Sequence, residues 1–133
     1  QYLLLRRSRN EGLYPGLWQF VTGTAVPGER AIDAAQREFR EETGLTPDRL
    51  WIVPFTNSFY DPEEDEVHII PFFAAQITTA EEPVLSPEHE ESAWLGYSDA
   101  HRRLVWPGQR AGLEIVDTYI VRGEEAGRLL RVF

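Results

Sequence analysis

Residues 23 to 45 read Gly-Thr-Ala-Val-Pro-Gly-Glu-Arg-Ala-Ile-Asp-Ala-Ala-Gln-Arg-Glu-Phe-Arg-Glu-Glu-Thr-Gly-Leu. A glycine turn leads into a short helical pattern that Gly44 closes. Glu38, Glu41 and Glu42 stand at i, i+3 and i+4, which share one side of a helix, so the spacing predicts that their carboxylates converge. On the same wheel Ile32, Ala35 and Phe39 form an apolar stripe, with Asp33, Gln36, Arg37 and Arg40 roughly opposite. The glutamates share their side only with Ala31 and Ala34, whose small side chains leave room for an ion or a loop. Pro27 and Gly28 set the turn into the helix, and Gly44 suits a left-handed residue just past its end.

An acidic helix is most often a solvated face laced with ion pairs. Here that explanation accounts for little. Glu38 and Glu42 are like charges at i, i+4, which costs about a few tenths of a kcal/mol, and Arg37 to Glu41 is the weaker orientation of an ion pair. A cation held by the cluster removes the conflict.

Gly23, five residues, Glu29, seven residues, then Arg37-Glu38-Phe39-Arg40-Glu41-Glu42-Thr43-Gly44-Leu45 resembles the Nudix box, the signature of hydrolases acting on nucleoside diphosphates linked to another group. Phe39 stands where that family usually has an aliphatic residue, and Val26 where many members carry another acid. The resemblance implies a Nudix α/β/α sandwich with a mixed central sheet, as a single domain over residues 1–133. It also implies Mg²⁺ as cofactor, with Mn²⁺ as a substitute. Glu38, Glu41 and Glu42 are then metal ligands, Glu41 with a catalytic part, and Glu29, Arg37 and Gly44 support the box.

Composition agrees with a compact enzyme. The 133 residues are 42% hydrophobic and 12% aromatic, enough for one sizeable core. Without Cys there is no disulfide, thiol nucleophile or cysteine zinc site, so a reducing, cytoplasmic setting is expected. Without Met, and opening directly on an apolar run, the chain is expected to lack its beginning, an opening strand included. No apolar run reaches the roughly 20 residues that span a bilayer. The net charge of −9 argues against a nucleic-acid polymer as partner, which needs a basic surface. A small polyphosphate is compatible with it, because metal ions and a few arginines can meet its charge. The sequence leaves the oligomeric state open.

Strand and helix patterns alternate along the chain. Residues 2–7, 17–22, 50–56, 66–77 and 92–95 read as strands, with a polar turn from Tyr60 to Asp65. Residues 99–104 and 109–121 read as helices, Gly123 to Gly127 as a turn, and residues 128–133 as a last short strand.

Substrate choice rests on further resemblance. Trp18-Gln19-Phe20-Val21-Thr22-Gly23 is similar to the Nudix branch that hydrolyses dihydroneopterin triphosphate and some deoxynucleoside triphosphates, releasing pyrophosphate. Glu88-His89, followed by Ala93-Trp94-Leu95, resembles that branch's loop carrying a further metal-binding glutamate. This makes Glu88 the candidate to complete the metal site or to take the proton from water. Arg7 corresponds to a phosphate contact, and Gly23, Trp18 and Phe20 are substrate-binding candidates, although a core place is the commoner fate of such aromatics. His68, His89 and His101 lack metal-ligand spacing, His89 alone standing near the site. Tyr60 lies close to where dinucleoside polyphosphate hydrolases of the family carry a stacking tyrosine, so diadenosine tetraphosphate is the alternative substrate. A non-catalytic nucleotide-binding module would show a broken box, whereas here every charged position stands.

Overall fold

In the computed structural model, which describes residues 1–79 and 81–133, β1 (Tyr2–Arg7) is the middle strand of a three-stranded sheet. It pairs antiparallel with β2 (Trp18–Gln19) on one side and β5 (His89–Leu95) on the other. Leu4 and Leu5 are both fully buried. Neighbouring residues on a strand point to opposite faces, so this sheet is covered on both sides. Leu4 packs with Ala100 of α2 (Tyr97–Arg103), with Leu104, and with Leu113 of α3 (Pro107–Ile115), Tyr2, Trp18, Phe20, Leu95 and Tyr97 closing around them. Burial of each such leucine contributes roughly 1.5–3 kcal/mol. Leu5 and Arg7 alternate with Leu4 and belong to the opposite face.

A second sheet is the long hairpin of β3 (Arg49–Asp61) and β4 (Glu66–Gln76). Its register breaks between Val53 and Thr56, where Pro54 has no N–H to donate. At the tip Asp61 Oδ1 accepts from the Glu63 backbone N–H at 2.8 Å, and Asp65 takes a positive φ of 55°. The layered α/β architecture expected from the sequence is present. Among the described residues every strand pairing is antiparallel, and the strands form a three-stranded sheet and a hairpin where one mixed sheet was expected. Among the described residues no helix is long and apolar enough to cross a membrane.

Three elements differ from the sequence reading. The strand expected over residues 17–22 pairs only at Trp18–Gln19, because the chain then leaves β1 to run against α1 (Ala31–Thr43). There the Thr22 backbone comes close enough to the Glu42 carboxyl to favour its charge. The helix expected over residues 109–121 widens after Ile115 into a π-helical segment, Val116–Val121. Its Asp117 accepts from the Tyr2 hydroxyl at 2.6 Å and pairs with Arg122 at 2.5 Å. The terminal strand expected over residues 128–133 is instead preceded by α4 (Glu124–Leu129), leaving a single bridge between Trp51 and Arg131. Glu124 and Glu125 occupy the first turn, where the helix dipole favours acids. Gly127 is a point of close approach: a Cβ there would meet the Ile120 carbonyl oxygen at 2.9 Å. Of the two glycines that read as turn residues, Gly123 caps the start of this helix and Gly127 lies within it.

Candidate active site

α1 runs from Ala31 to Thr43 and ends as its sequence dictates. Gly44 takes φ 69°, and its N–H donates to the Arg40 carbonyl at 2.8 Å. Burial along the helix is less simple. The expected apolar stripe of Ile32, Ala35 and Phe39 is only half-buried, while Ala34, Glu42 and Thr43 are the buried residues. Loops close over the carboxylate side. The Thr22 to Thr24 segment covers one flank, and on the other the Val84 and Ser86 N–H groups donate to the Thr43 and Glu42 carbonyls at 2.8 and 3.4 Å.

Between these loops lies a cleft of about 300 Å³ lined by Thr22, Gly23, Thr24, Glu38, Glu42 and Glu88. Gly23 is required by contact: a Cβ at that position would collide with the Glu38 side chain. Glu42 is the unusual group. It is 4% exposed, and its Oε2 is shut off from solvent with no hydrogen-bond partner. Burial, then the charges of Glu88 and Glu38, push its carboxyl up to about 8, against the pull of Arg7 and the Thr22 backbone. A buried carboxyl crowded by two more carboxyls suits an oxygen-preferring cation.

Among the described residues no three acidic or imidazole side chains close together as a finished ligand set. Magnesium retains several waters and needs few protein carboxylates, so a partly formed set suits it. Glu38, Glu42 and Glu88 fit that role.

The other expected residues divide by place. Arg37 is the hub of the helix start. Its Nε and Nη2 donate to the two Glu29 oxygens at 2.9 and 3.0 Å, its Nη1 to Glu38 and Glu41 at 2.8 and 3.1 Å, and Nη2 also reaches the Thr24 carbonyl. Glu29 Oε2 accepts from the Val26 N–H at 3.0 Å, which fixes the turn into α1. These hydrogen bonds hold the Glu29 carboxyl below its ordinary range and raise the affinity of Arg37 for its proton. Glu41 leans toward Arg37 with its side chain 58% exposed, outside the cleft lining. Arg7 donates from Nε to the Leu13 carbonyl and from Nη2 to Glu11, while its charge acts on Glu42 from behind.

The aromatic candidates already have partners. Trp18 carries the Arg103 guanidinium 4.8 Å from its ring centre and packs on the core. Phe20 meets Phe72 edge to face at 6.3 Å. Tyr60 is exposed near the hairpin tip, its hydroxyl donating to Asp65 at 2.9 Å, and shares no recorded hydrogen bond with the glutamates.

Two further residues stand behind Glu42: His89, which the sequence placed near the site without a role, and Gln19, which it gave none. His89 is buried at the start of β5, with Nδ1 3.8 Å from Glu42 Oε2 and Nε2 3.3 Å from Gln19 Nε2. Burial, then the charge of Arg7, lowers its affinity for a second proton. The adjacency of Glu88 and His89 was the available signal for one of them; nothing local marks Gln19.

Comparison with known proteins gives a consistent picture. The NUDIX domain family model matches residues 1–114. Nucleoside triphosphatase NudI from Escherichia fergusonii is 30% identical over 105 residues, 74% of each chain. Among solved structures, an Ap4A hydrolase binary complex from C. elegans aligns with TM-score 0.74 at 23% identity, covering 90% of this chain and 85% of its own. The E. coli dihydroneopterin triphosphate pyrophosphohydrolase aligns with TM-score 0.73 at 23% identity, with the same coverage of 90% and 85%. At such identities the two structures speak for the fold alone.

Proposed function

The chain belongs to the NUDIX domain family, and from that membership we propose that it is a Mg²⁺-dependent pyrophosphohydrolase of nucleoside triphosphates. Water bonds to the α or the β phosphorus, the bridging P–O bond between them breaks, and nucleoside monophosphate and pyrophosphate separate. The observation that carries the reading is the buried Glu42 carboxyl, crowded by the charges of Glu88 and Glu38 on the cleft that the three share. The fold does not choose the substrate, since the Ap4A hydrolase and the dihydroneopterin triphosphate enzyme resemble this chain equally well. The sequence relative does lean one way, because its name is that of a nucleoside triphosphatase.

A bound divalent ion supplies charge neutralisation at the phosphate oxygens and a more acidic water. The chain's own groups do the rest. Glu38 and Glu42 would hold the ion from the helix, and Glu88, which lines the same cleft from the loop before β5, would complete the ligand set or take the water's proton. Gly23 lets the Thr22–Thr24 backbone lie against Glu38, so a phosphate can approach main-chain groups without a side chain in the way. Arg37 and Glu29 do not need to touch substrate; they hold the helix start rigid.

The test is hydrolysis of a nucleotide panel with Mg²⁺ in ¹⁸O-labelled water, with dihydroneopterin triphosphate and diadenosine tetraphosphate in competition. Label in the nucleoside monophosphate or in pyrophosphate locates the attacked phosphorus, and kcat/KM ranks the substrates. A clear preference for diadenosine tetraphosphate over every triphosphate would replace the substrate while leaving the family standing.

A further inference from the structure

Behind Glu42 lies a polar relay that hydrolysis itself does not use. Gln19 on β2 and His89 on β5 flank the central strand, opposite Leu5 and Arg7, and so share the face turned toward α1. The His89 side chain is wholly buried. Its Nε2 lies 3.3 Å from the Gln19 amide nitrogen, and its Nδ1 lies 3.8 Å from Glu42 Oε2. Both Nδ1 and Oε2 are closed to solvent and lack any hydrogen-bond partner. Two unpaired buried polar atoms that face one another are rare in a folded chain.

The tautomer follows from the donors. With the Gln19 amide turned so that its nitrogen faces the ring, that nitrogen can only donate, and the ring nitrogen opposite it accepts. A ring that accepts at Nε2 carries its proton at Nδ1, the side facing Glu42. Side-chain movement of about 1 Å closes the gap to hydrogen-bond length and satisfies both orphaned atoms.

We propose that His89, held as the Nδ1–H tautomer by Gln19, is a positioning residue that donates to Glu42 Oε2 and fixes that carboxylate toward the cleft it shares with Glu38 and Glu88. The inference rests on the reading of Glu42 as a metal ligand. Hydrogen bonds of this outer kind orient a ligand before the ion arrives, and losing one typically costs about tenfold to a hundredfold in affinity.

Two measurements on the whole chain test it. ¹⁵N shifts of the His89 ring in the Mg²⁺-loaded protein report the tautomer directly, and Nδ1–H is expected. Mn²⁺ binding without substrate, followed by electron paramagnetic resonance, is then compared across variants. His89→Phe, which lacks a donor, and His89→Gln, whose amide extends toward the Nε2 position, are expected to bind about tenfold or more weakly. His89→Asn places its amide nitrogen near Nδ1 and is expected to restore most of the affinity. An Nε2–H tautomer overturns the proposal, as does equal Mn²⁺ affinity in His89→Phe and the unmodified chain. His89→Asn as weak as His89→Phe also overturns it, by reducing His89 to packing. If the unmodified chain binds no Mn²⁺, the metal-site reading falls and the role of His89 with it; if it binds and the variants bind equally, this inference alone falls.

Discussion

Glu42 is held where a negative charge is disfavoured, and its titration should show it. Its carboxyl is pushed from an ordinary 4.5 up to about 8, first by burial and then by Glu88 and Glu38. A raised folded-state value means that the folded chain binds this proton more tightly than the unfolded chain. The stabilisation is full below about 4.5 and is lost as pH rises through about 8. In chelator, the Tm of the unmodified chain should therefore fall between roughly pH 4.5 and 8 more steeply than that of Glu42→Gln, which lacks the titration. Parallel pH profiles would show that the carboxyl is not desolvated. With Mg²⁺ present the same variant should lose at least about a hundredfold in turnover, the scale of removing one key electrostatic group. Glu41→Gln separates two roles. Its carboxylate stands beside Arg37 and largely in solvent, so a comparable loss requires it to swing into the cleft when metal binds. Near-normal turnover of purified Glu41→Gln would remove Glu41 from the ligand set and leave Glu42 in it.

Elements carry the site because each is fixed by contacts of a different range. α1 was legible from sequence since its signals are local: the i, i+3, i+4 spacing, the Pro27–Gly28 turn and the left-handed Gly44 all lie within about twenty residues. Which side of α1 is buried was not legible. That depends on residues 22–24 and 84–89 folding back over it, and only packing brings them together. The π-helical segment is a second case. Its widening accompanies a tertiary bond from Tyr2, 115 residues away in sequence, to the buried Asp117, which no window along the chain can reveal. Tyr2→Phe should therefore destabilise the fold by about 1–2 kcal/mol, because it deprives a buried carboxylate of a donor while keeping the ring. Chemical denaturation measures this directly. A change below about 0.5 kcal/mol would mean that Arg122 alone satisfies Asp117, and that the π turn is set by helix-internal forces.

At the scale of the molecule, the cleft draws on parts of the chain that share little else: the loop after β2, the last turns of α1 and the approach to β5. Three carboxyls line it in a chain of net charge −9, and a cation bound among Glu38, Glu42 and Glu88 would tie the three parts together. An ion that binds only the folded chain stabilises it by mass action, about 2.7 kcal/mol at a hundred times its Kd. For a chain of this length that corresponds to a rise in Tm of roughly 10 °C. Mg²⁺ should therefore raise the melting temperature in the absence of any nucleotide, and chelator should reverse it. Glu42→Gln should blunt the rise, whereas Glu63→Gln, on the exposed hairpin turn far from the cleft in the chain, should leave it intact. The control matters because general screening of so acidic a surface would also stabilise the fold, and would do so for both variants alike. An equal rise in both, matched by NaCl at the same ionic strength, would count the cleft out as a metal site.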